Sequence, residues 1–106
     1  MSVQDILKSN FEGQEGSFLD YLQHKQQFHR EAFKQLYDAV RQAADEKIEV
    51  SEAAREINFI YGQVLKCFMY HFDKNDHFAI TNLPEDYNRI LKYLEDSVSY
   101  YFNTRI

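Results

Sequence analysis

The sequence predicts a single all-α domain, and three observations support this prediction. The chain of 106 residues contains only 3 glycines and 1 proline, whereas a β-sandwich or barrel needs a turn every ~8 to 12 residues. Apolar residues recur at spacings of three and four over long stretches, as on one face of a helix. Hydrophobic residues make up 44% of the chain, enough for one core without metal or disulfide bonds. We expect a compact bundle-like domain over residues 1–106, with three main helices and a short N-terminal helix.

The first element is predicted to be short. Ser2 and Asp5 have the spacing of a capping box, in which each side chain accepts a hydrogen bond from the other residue's backbone. A helical turn through Lys8 follows. Residues 9–16 contain two glycines and predict a loop. We expect the short helix before this loop to lie over the core as a lid.

The second element is predicted to be a long helix. Ser17 is its expected N-cap, with Asp20 again at the capping-box position. Apolar residues at helical spacing continue to about residue 46, which gives one helix over 18–46 unless it bends at the polar residues 24–27.

The third helix is predicted to be the buried one. Ser51 is its expected N-cap after an interruption at residues 47–50. Residues 57–72 are apolar almost all round, with one stripe formed by Ile57, Ile60, Val64 and Phe68. Gly62 costs about 1 kcal/mol relative to alanine inside a helix, and we attribute it to the close approach of another helix.

The last helix is predicted to begin at residues 83–86. Proline is tolerated in a first helical turn, and two acidic residues there complement the helix dipole. The apolar pattern then continues almost to the C-terminus.

Charge and composition exclude several classes of function. The net charge is -5, and the 12 basic residues are scattered, so the chain lacks the positive face that binds a phosphate backbone. No apolar stretch approaches the ~20 residues that cross a bilayer. A single cysteine and an N-terminus without signal-peptide features predict a cytoplasmic protein. No phosphate-binding loop, nucleophile elbow or cofactor motif is present, so we expect neither an enzyme nor a cofactor.

Two pairs of side chains raise chemical alternatives. Cys67 and His71 are four residues apart, as a thiolate and its base would be on a helix, but a cysteine on an apolar stripe is more often a small hydrophobic residue. His71 and Asp76 reproduce the His-x-x-x-x-Asp element seen in hemerythrins, although no Glu-x-x-His sequence exists in the chain. A metal-binding helical protein therefore stays an alternative. An EF-hand-like start at Asp73 fails because Pro84 occupies the twelfth position, and a capped loop explains it.

Acidic residues gather around the turn between the second and third predicted helices. Two basic residues, Lys47 and Arg55, accompany them, which leaves a local net charge of -3. A basic protein partner would be attracted to such a surface, although complementation of helix dipoles explains acids at helix ends equally well. The predicted partner-binding acids are Asp45, Glu46, Glu49, Glu52 and Glu56.

Two tyrosines complete the candidate surface. Tyr93 and Tyr100 are seven residues apart on the last predicted helix, beside its main apolar stripe. Exposed tyrosines often anchor interfaces, whereas a wide core face would bury them. They predict a partner contact or, alternatively, the interface of a homodimeric adaptor.

In its small size, acidity, helical content and aromatic surface candidates, the whole chain resembles the small helical immunity proteins of bacterial contact-dependent growth-inhibition systems. This resemblance lies in general features and transfers no individual residue. It implies a type of partner: a cognate toxin, often a basic nuclease, whose active site is covered. The function we expect is therefore binding and neutralisation of a bacterial toxin domain.

Overall fold

The computed structural model describes residues 2–47 and 51–103, and every regular element in these two ranges is a helix. The predicted all-α class is confirmed. The described residues form five helices, of which four have more than six residues, because the second predicted helix is divided into a short and a long one. The five helices are α1 (Val3–Phe11), α2 (Phe18–Gln23), α3 (Arg30–Asp45), α4 (Ser51–Phe72) and α5 (Tyr87–Asn103).

Helix α1 begins with the predicted capping box. The Asp5 N–H donates to Ser2 Oγ over 3.1 Å, and the Ser2 N–H donates to the Asp5 carboxylate over 3.4 Å. The predicted end after Lys8 is wrong. Asn10 is buried and holds the last turn in place, because its amide donates to the Ile6 carbonyl over 3.0 Å and accepts from the Leu19 N–H over 3.1 Å. These bonds tie α1 to α2.

The predicted long helix over 18–46 is interrupted between α2 and α3. Gln26 has a φ of 54°, in the left-handed region that a helix interior does not allow. Its carbonyl accepts the Thr81 N–H over 2.8 Å. Two residues further on, the Phe28 N–H donates to Asn82 Oδ1 over 2.6 Å, and the Asn82 amide donates back to the Phe28 carbonyl over 3.0 Å. The chain therefore leaves the helix to pair with the loop between α4 and α5.

This interruption inserts an aromatic ring into the core. Phe28 is buried, and its ring lies 5.3 Å from that of Phe18 and 5.5 Å from that of Phe33. His29 then caps α3 by accepting the Ala32 N–H at Nδ1 over 3.0 Å. The apolar contacts and the new cap offset the helical hydrogen bonds that are lost at the break.

The helices pack around one buried cluster to which all five contribute. Helix α3 packs on α1 and α5, while α4 packs on α1, α2 and α5. Helix α1 is therefore part of the core and is not a lid, since Leu7 is completely buried. The largest fully buried side chains are Leu7, Phe18, Leu19, Leu22, Leu36, Ile57, Ile60, Leu94 and Tyr101.

Helix α4 is not buried all round, which corrects the prediction. The stripe that includes Ile57 and Val64 lies in the core as expected. Apolar side chains on a neighbouring face are exposed: Leu65 by 37%, Phe72 by 53% and Met69 by 67%. The close approach predicted at Gly62 is also absent, because a Cβ built there meets no heavy atom within 4 Å.

Helix α5 begins later than predicted. Residues 85–86 form a turn, and the Tyr87 N–H donates to the Pro84 carbonyl over 3.2 Å. Ile90, Leu94 and Val98 then face the core at helical spacing.

Most of the predicted interruption at 47–50, with Glu49, lies outside the described residues.

Candidate functional site

An apolar groove lies between the C-terminal half of α4 and the N-terminal half of α5. Its volume is about 570 Å³, and it opens to solvent along its length. The side chains that line it are Leu65, Phe68, Met69, Phe72, Tyr87, Asn88 and Leu91. We call this surface the α4–α5 groove.

The α4–α5 groove exists because neighbouring faces of α4 and α5 are apolar while only one face of each helix reaches the core. Phe68 is buried, and its ring lies 6.4 Å from that of Tyr87. The Phe72 ring lies 5.2 Å from the same tyrosine but is 53% exposed. Leu91 is half-buried on the α5 side. The groove thus has a packed floor and exposed apolar walls.

Polar groups border the groove further along the two helices. Tyr61 is half-buried on α4. Burial raises its pKa, the Glu95 carboxylate on α5 raises it further, and Lys92 lowers it. Lys92 is paired with Asp96, with 3.2 Å between Nζ and Oδ1. Charged side chains of α5 therefore follow the groove residues along the same helix.

The groove lining offers apolar contact and little chemistry. Asn88 is the one polar side chain in it, and no titratable group except the Tyr87 phenol lines it. Apolar surface removed from water contributes about 25 cal/mol per Å². Exposed contiguous apolar surface on a water-soluble domain commonly marks a protein-binding site. The arrangement can bind apolar side chains of another molecule.

Sequence reasoning missed this groove although a signal for it was present. Between Ile57 and Phe72 the chain carries one Lys and no Asp, Glu or Arg. A helix with a single core face needs apolar residues on only part of its circumference. Apolar residues beyond this need predict either complete burial of the helix or an exposed apolar face.

The predicted acidic residues within the described ranges adjoin two different helices, α5 and α1. Asp45, at the end of α3, accepts a hydrogen bond from α5. Glu46 lines a shallow depression with Gln4 at the start of α1. Glu52 and Glu56, on α4, line a second depression against α1, in which Asp5 and Lys8 also take part. Glu49 lies outside the described residues.

Glu56 is half-buried and has several charged side chains near it. Burial raises its pKa above the ordinary value, and the Glu52 charge raises it further. Arg55 and Lys8 act in the opposite direction. The α1–α4 depression is therefore negative but is partly neutralised by its own basic residues.

The two predicted tyrosines differ in their surroundings. Tyr93 is 48% exposed, and its ring lies 6.3 Å from that of Tyr37 on α3. Tyr100 is half-buried, its hydroxyl donates to Asp45, and the Arg41 guanidinium lies 4.6 Å from its ring centre. Tyr100 and Asp45, both predicted to contact a partner, thus contact each other.

Cys67 and His71 do not form an activated pair. Cys67 is buried, and desolvation raises the pKa of its thiol to about 11. His71 Nδ1 accepts the Ile80 N–H over 2.9 Å, which holds the end of α4 against the following loop. A protonated, buried thiol is a poor nucleophile.

His71 and Asp76 are likewise engaged with the backbone. The Asp76 carboxylate accepts the Phe78 N–H over 2.8 Å, and the Asp73 carboxylate accepts the Asn75 N–H over 2.9 Å. Both are turns closed by an aspartate, as expected for a capped loop. Within residues 2–47 and 51–103, no group of three or more His, Cys, Asp or Glu side chains is placed to hold a metal ion.

The helices and the comparisons add two further findings. None of the helices in the described part of the chain combines the length and the apolar character needed to cross a membrane. No protein-family model, curated protein or solved structure matches the chain.

Proposed function

We propose that this chain is a protein-binding domain whose α4–α5 groove receives apolar side chains of a partner protein. One observation carries the proposal: Leu65, Met69 and Phe72 are 37%, 67% and 53% exposed in a continuous groove. Leaving large apolar side chains in water has no benefit for an isolated domain, whereas a partner that covers them gains binding free energy.

The most concrete form of this function is neutralisation of a bacterial toxin domain by an immunity protein. The net charge of -5 supports it, because an acidic protein and a basic toxin attract each other before contact. The acids of the α1–α4 depression contribute to this long-range attraction. Apolar contact in the groove would provide affinity, and charge would provide rapid and selective encounter.

The toxin hypothesis is tested through the neighbouring gene. The adjacent upstream gene is expected to encode a large exported protein with a variable toxic C-terminal domain. Expression of that domain in a bacterial host should stop growth, and co-expression of this chain should restore it. A neighbouring gene of another kind, or a toxic domain that this chain neither binds nor neutralises, would contradict the hypothesis.

Substitutions in the groove then test the contact surface. Leu65→Glu and Phe72→Gln should each weaken binding of the toxin domain by about tenfold or more, as replacement of a buried interface anchor does. Gln35→Glu is the matched control for the added charge, because Gln35 is exposed on α3 away from the groove. Calorimetry of each variant with the toxin domain gives the affinity. Unchanged affinity in both groove variants would exclude the groove as the contact surface.

A further inference from the structure

A second face of α4, next to the α4–α5 groove, has a regular pattern of its own. Six positions follow one another at alternating spacings of four and three residues, the spacing of the contact positions in a coiled coil. All are exposed except Gly62, which is half-exposed and faces open space. We call this surface the α4 seam; its residues are Arg55, Phe59, Gly62, Lys66 and Met69 on α4, and Asp73, which directly follows the last residue of the helix.

In the part of the chain that the structure describes, nothing packs against Gly62. Glycine in a helix interior is about 1 kcal/mol less favourable than alanine, and the space where its side chain would lie is open. A glycine on a helix surface removes the side chain that keeps another molecule at a distance. At the middle of the seam, that property is useful only when something packs against it.

The spacing between successive seam residues is the same whether the sequence is read forwards or backwards. If a second copy of α4 lies antiparallel on it, Arg55 falls opposite Asp73 and Phe59 falls opposite Met69. The long side chain of Lys66 then falls opposite Gly62, where there is room for it. Charge, apolar contact and size are therefore complementary at all three kinds of pair.

The charged ends of the seam have no ion pair in the described part of the chain. Arg55 places its guanidinium 5.1 Å from the centre of the Phe11 ring and takes part in none of the ion pairs there. The Asp73 carboxylate accepts a backbone N–H from Asn75 and has no basic partner there. The two charges are available to each other across a twofold axis.

The apolar pair of the seam is exposed in the single chain. Phe59 is 41% and Met69 is 67% exposed. Phe59 is held in position by the Phe11 ring, 5.0 Å away and nearly perpendicular. The pair is thus oriented by its own chain and is covered only when a second surface packs on it.

We propose that two copies of this chain associate through their α4 seams, antiparallel about a twofold axis that passes near Val64. A twofold axis makes each pair occur twice, so the two Arg55–Asp73 pairs close both ends of the interface. The helical part of the seam, from residue 55 to 69, spans about 21 Å at ~1.5 Å per residue. This dimer goes beyond the proposed function and leaves the α5 side of each α4–α5 groove open, with Met69 at the border between the two surfaces.

Sedimentation equilibrium of the full chain tests the dimer. The wild-type protein should pass from monomer to dimer as its concentration increases. Gly62→Leu should weaken the association about tenfold, since it fills the space for Lys66. The same variant should raise the midpoint of thermal unfolding of the monomer, because it removes a helical glycine from an open surface. Weaker association with higher thermal stability excludes misfolding as the cause.

A charge exchange tests the antiparallel register. Arg55→Glu and Asp73→Arg should each weaken association, and the double variant should restore it to near the wild-type value. Tyr93→Ser, on the other candidate interface, should leave association unchanged. A protein that is monomeric at every concentration, or association that responds to Tyr93→Ser and not to the seam variants, overturns the proposal. A monomer that still neutralises its toxin rejects only the dimer, whereas a dimer without toxin binding rejects only the proposed function.

Discussion

The Tyr100 hydroxyl donates a hydrogen bond of 2.6 Å to Asp45 Oδ1 and so joins the last turn of α5 to the C-terminal end of α3. The two residues are 55 positions apart in the chain. Arg41, one helical turn before Asp45, places its guanidinium over the same ring at 4.6 Å. Asp45 therefore serves the packing of the domain's own helices, and its carboxylate is already engaged before any partner arrives.

This contact should be visible in the titration of Tyr100. The Asp45 hydrogen bond, and then its charge, raise the pKa of Tyr100 above 10.0. Asp45→Ala removes both effects and should lower the pKa of Tyr100 towards 10.0. Carbon chemical shifts of the tyrosine rings, followed by NMR as a function of pH, measure this directly.

The sign of the accompanying stability change is also defined. A raised tyrosine pKa means that the folded state prefers the neutral phenol. The contribution to stability is complete below pH 10.0 and is lost as the pH rises through the higher value in the folded protein. Glu46→Ala is the control, since Glu46 adjoins α1 and does not contact Tyr100. An identical shift in both variants would mean that the local charge, and not the hydrogen bond, controls this pKa.

Asp20 should make the protein sensitive to acid. Its carboxylate lies 2.9 Å from His24 Nδ1, accepts the Gly16 N–H over 3.0 Å and lies 3.1 Å from Lys25 Nζ. These partners, His24 first, lower the pKa of Asp20 from 3.8 to about 2. Because the pKa of Asp20 is lower in the folded than in the unfolded state, its ionised carboxylate stabilises the fold by about 2 kcal/mol at pH values above the unfolded-state pKa. That contribution is lost as the pH falls from about 4 towards 2.

Urea unfolding at several pH values tests this prediction. Asp20→Asn should decrease the free energy of unfolding at neutral pH and flatten its dependence on pH between about 4 and 2. Asp38→Asn is the matched control, because Asp38 forms an exposed ion pair with Lys34, and such pairs contribute little. Parallel acid profiles for wild type and Asp20→Asn would contradict the assignment.

Asn82 should be important for the stability of the fold although it lies in a loop. Its side chain accepts the Phe28 N–H and donates to the Phe28 carbonyl. Asn82→Ala leaves both backbone groups without these partners, and we expect a decrease of about 1–3 kcal/mol in the free energy of unfolding.

Asn75→Ala provides the comparison for Asn82→Ala, since Asn75 is exposed in the same inter-helix connection and the structure gives its side chain no hydrogen bond there. It should change the free energy of unfolding by less than about 0.5 kcal/mol. Chemical denaturation monitored by circular dichroism measures both variants. Equal effects of the two substitutions would show that the link between the loops is unimportant.

Cys67 should react slowly in the folded protein. Desolvation raises its thiol pKa from 9.0 to about 11, which reduces the thiolate fraction at neutral pH about 100-fold. Burial at 4% exposure adds a barrier to access. A disulfide reagent that releases a coloured thiol should therefore modify Cys67 at least about 100-fold more slowly in buffer than in denaturant. Rapid modification of the folded protein would return Cys67 to the group of chemical candidates.

The sequence by itself determined the class of the fold and the beginnings of its first two helices. The Ser2 cap and the Ser17 cap both form as predicted, because a cap depends on residues three positions apart. The core stripe of α4 is likewise local, since Ile57, Ile60 and Val64 share a face in any helix that contains them. Such features need no knowledge of the rest of the chain.

The polar residues 24–27 indicate where the long predicted helix can bend, but tertiary structure alone decided that it is broken there and which apolar residues stay exposed. The break at Gln26 depends on hydrogen bonds to Thr81 and Asn82, which are more than fifty residues away and have no signature near the break. The exposure of Leu65 and Met69 depends on which faces of α4 the other helices cover. Periodicity reports how much of a helix is apolar, whereas burial depends on the finite number of neighbours that can pack around it.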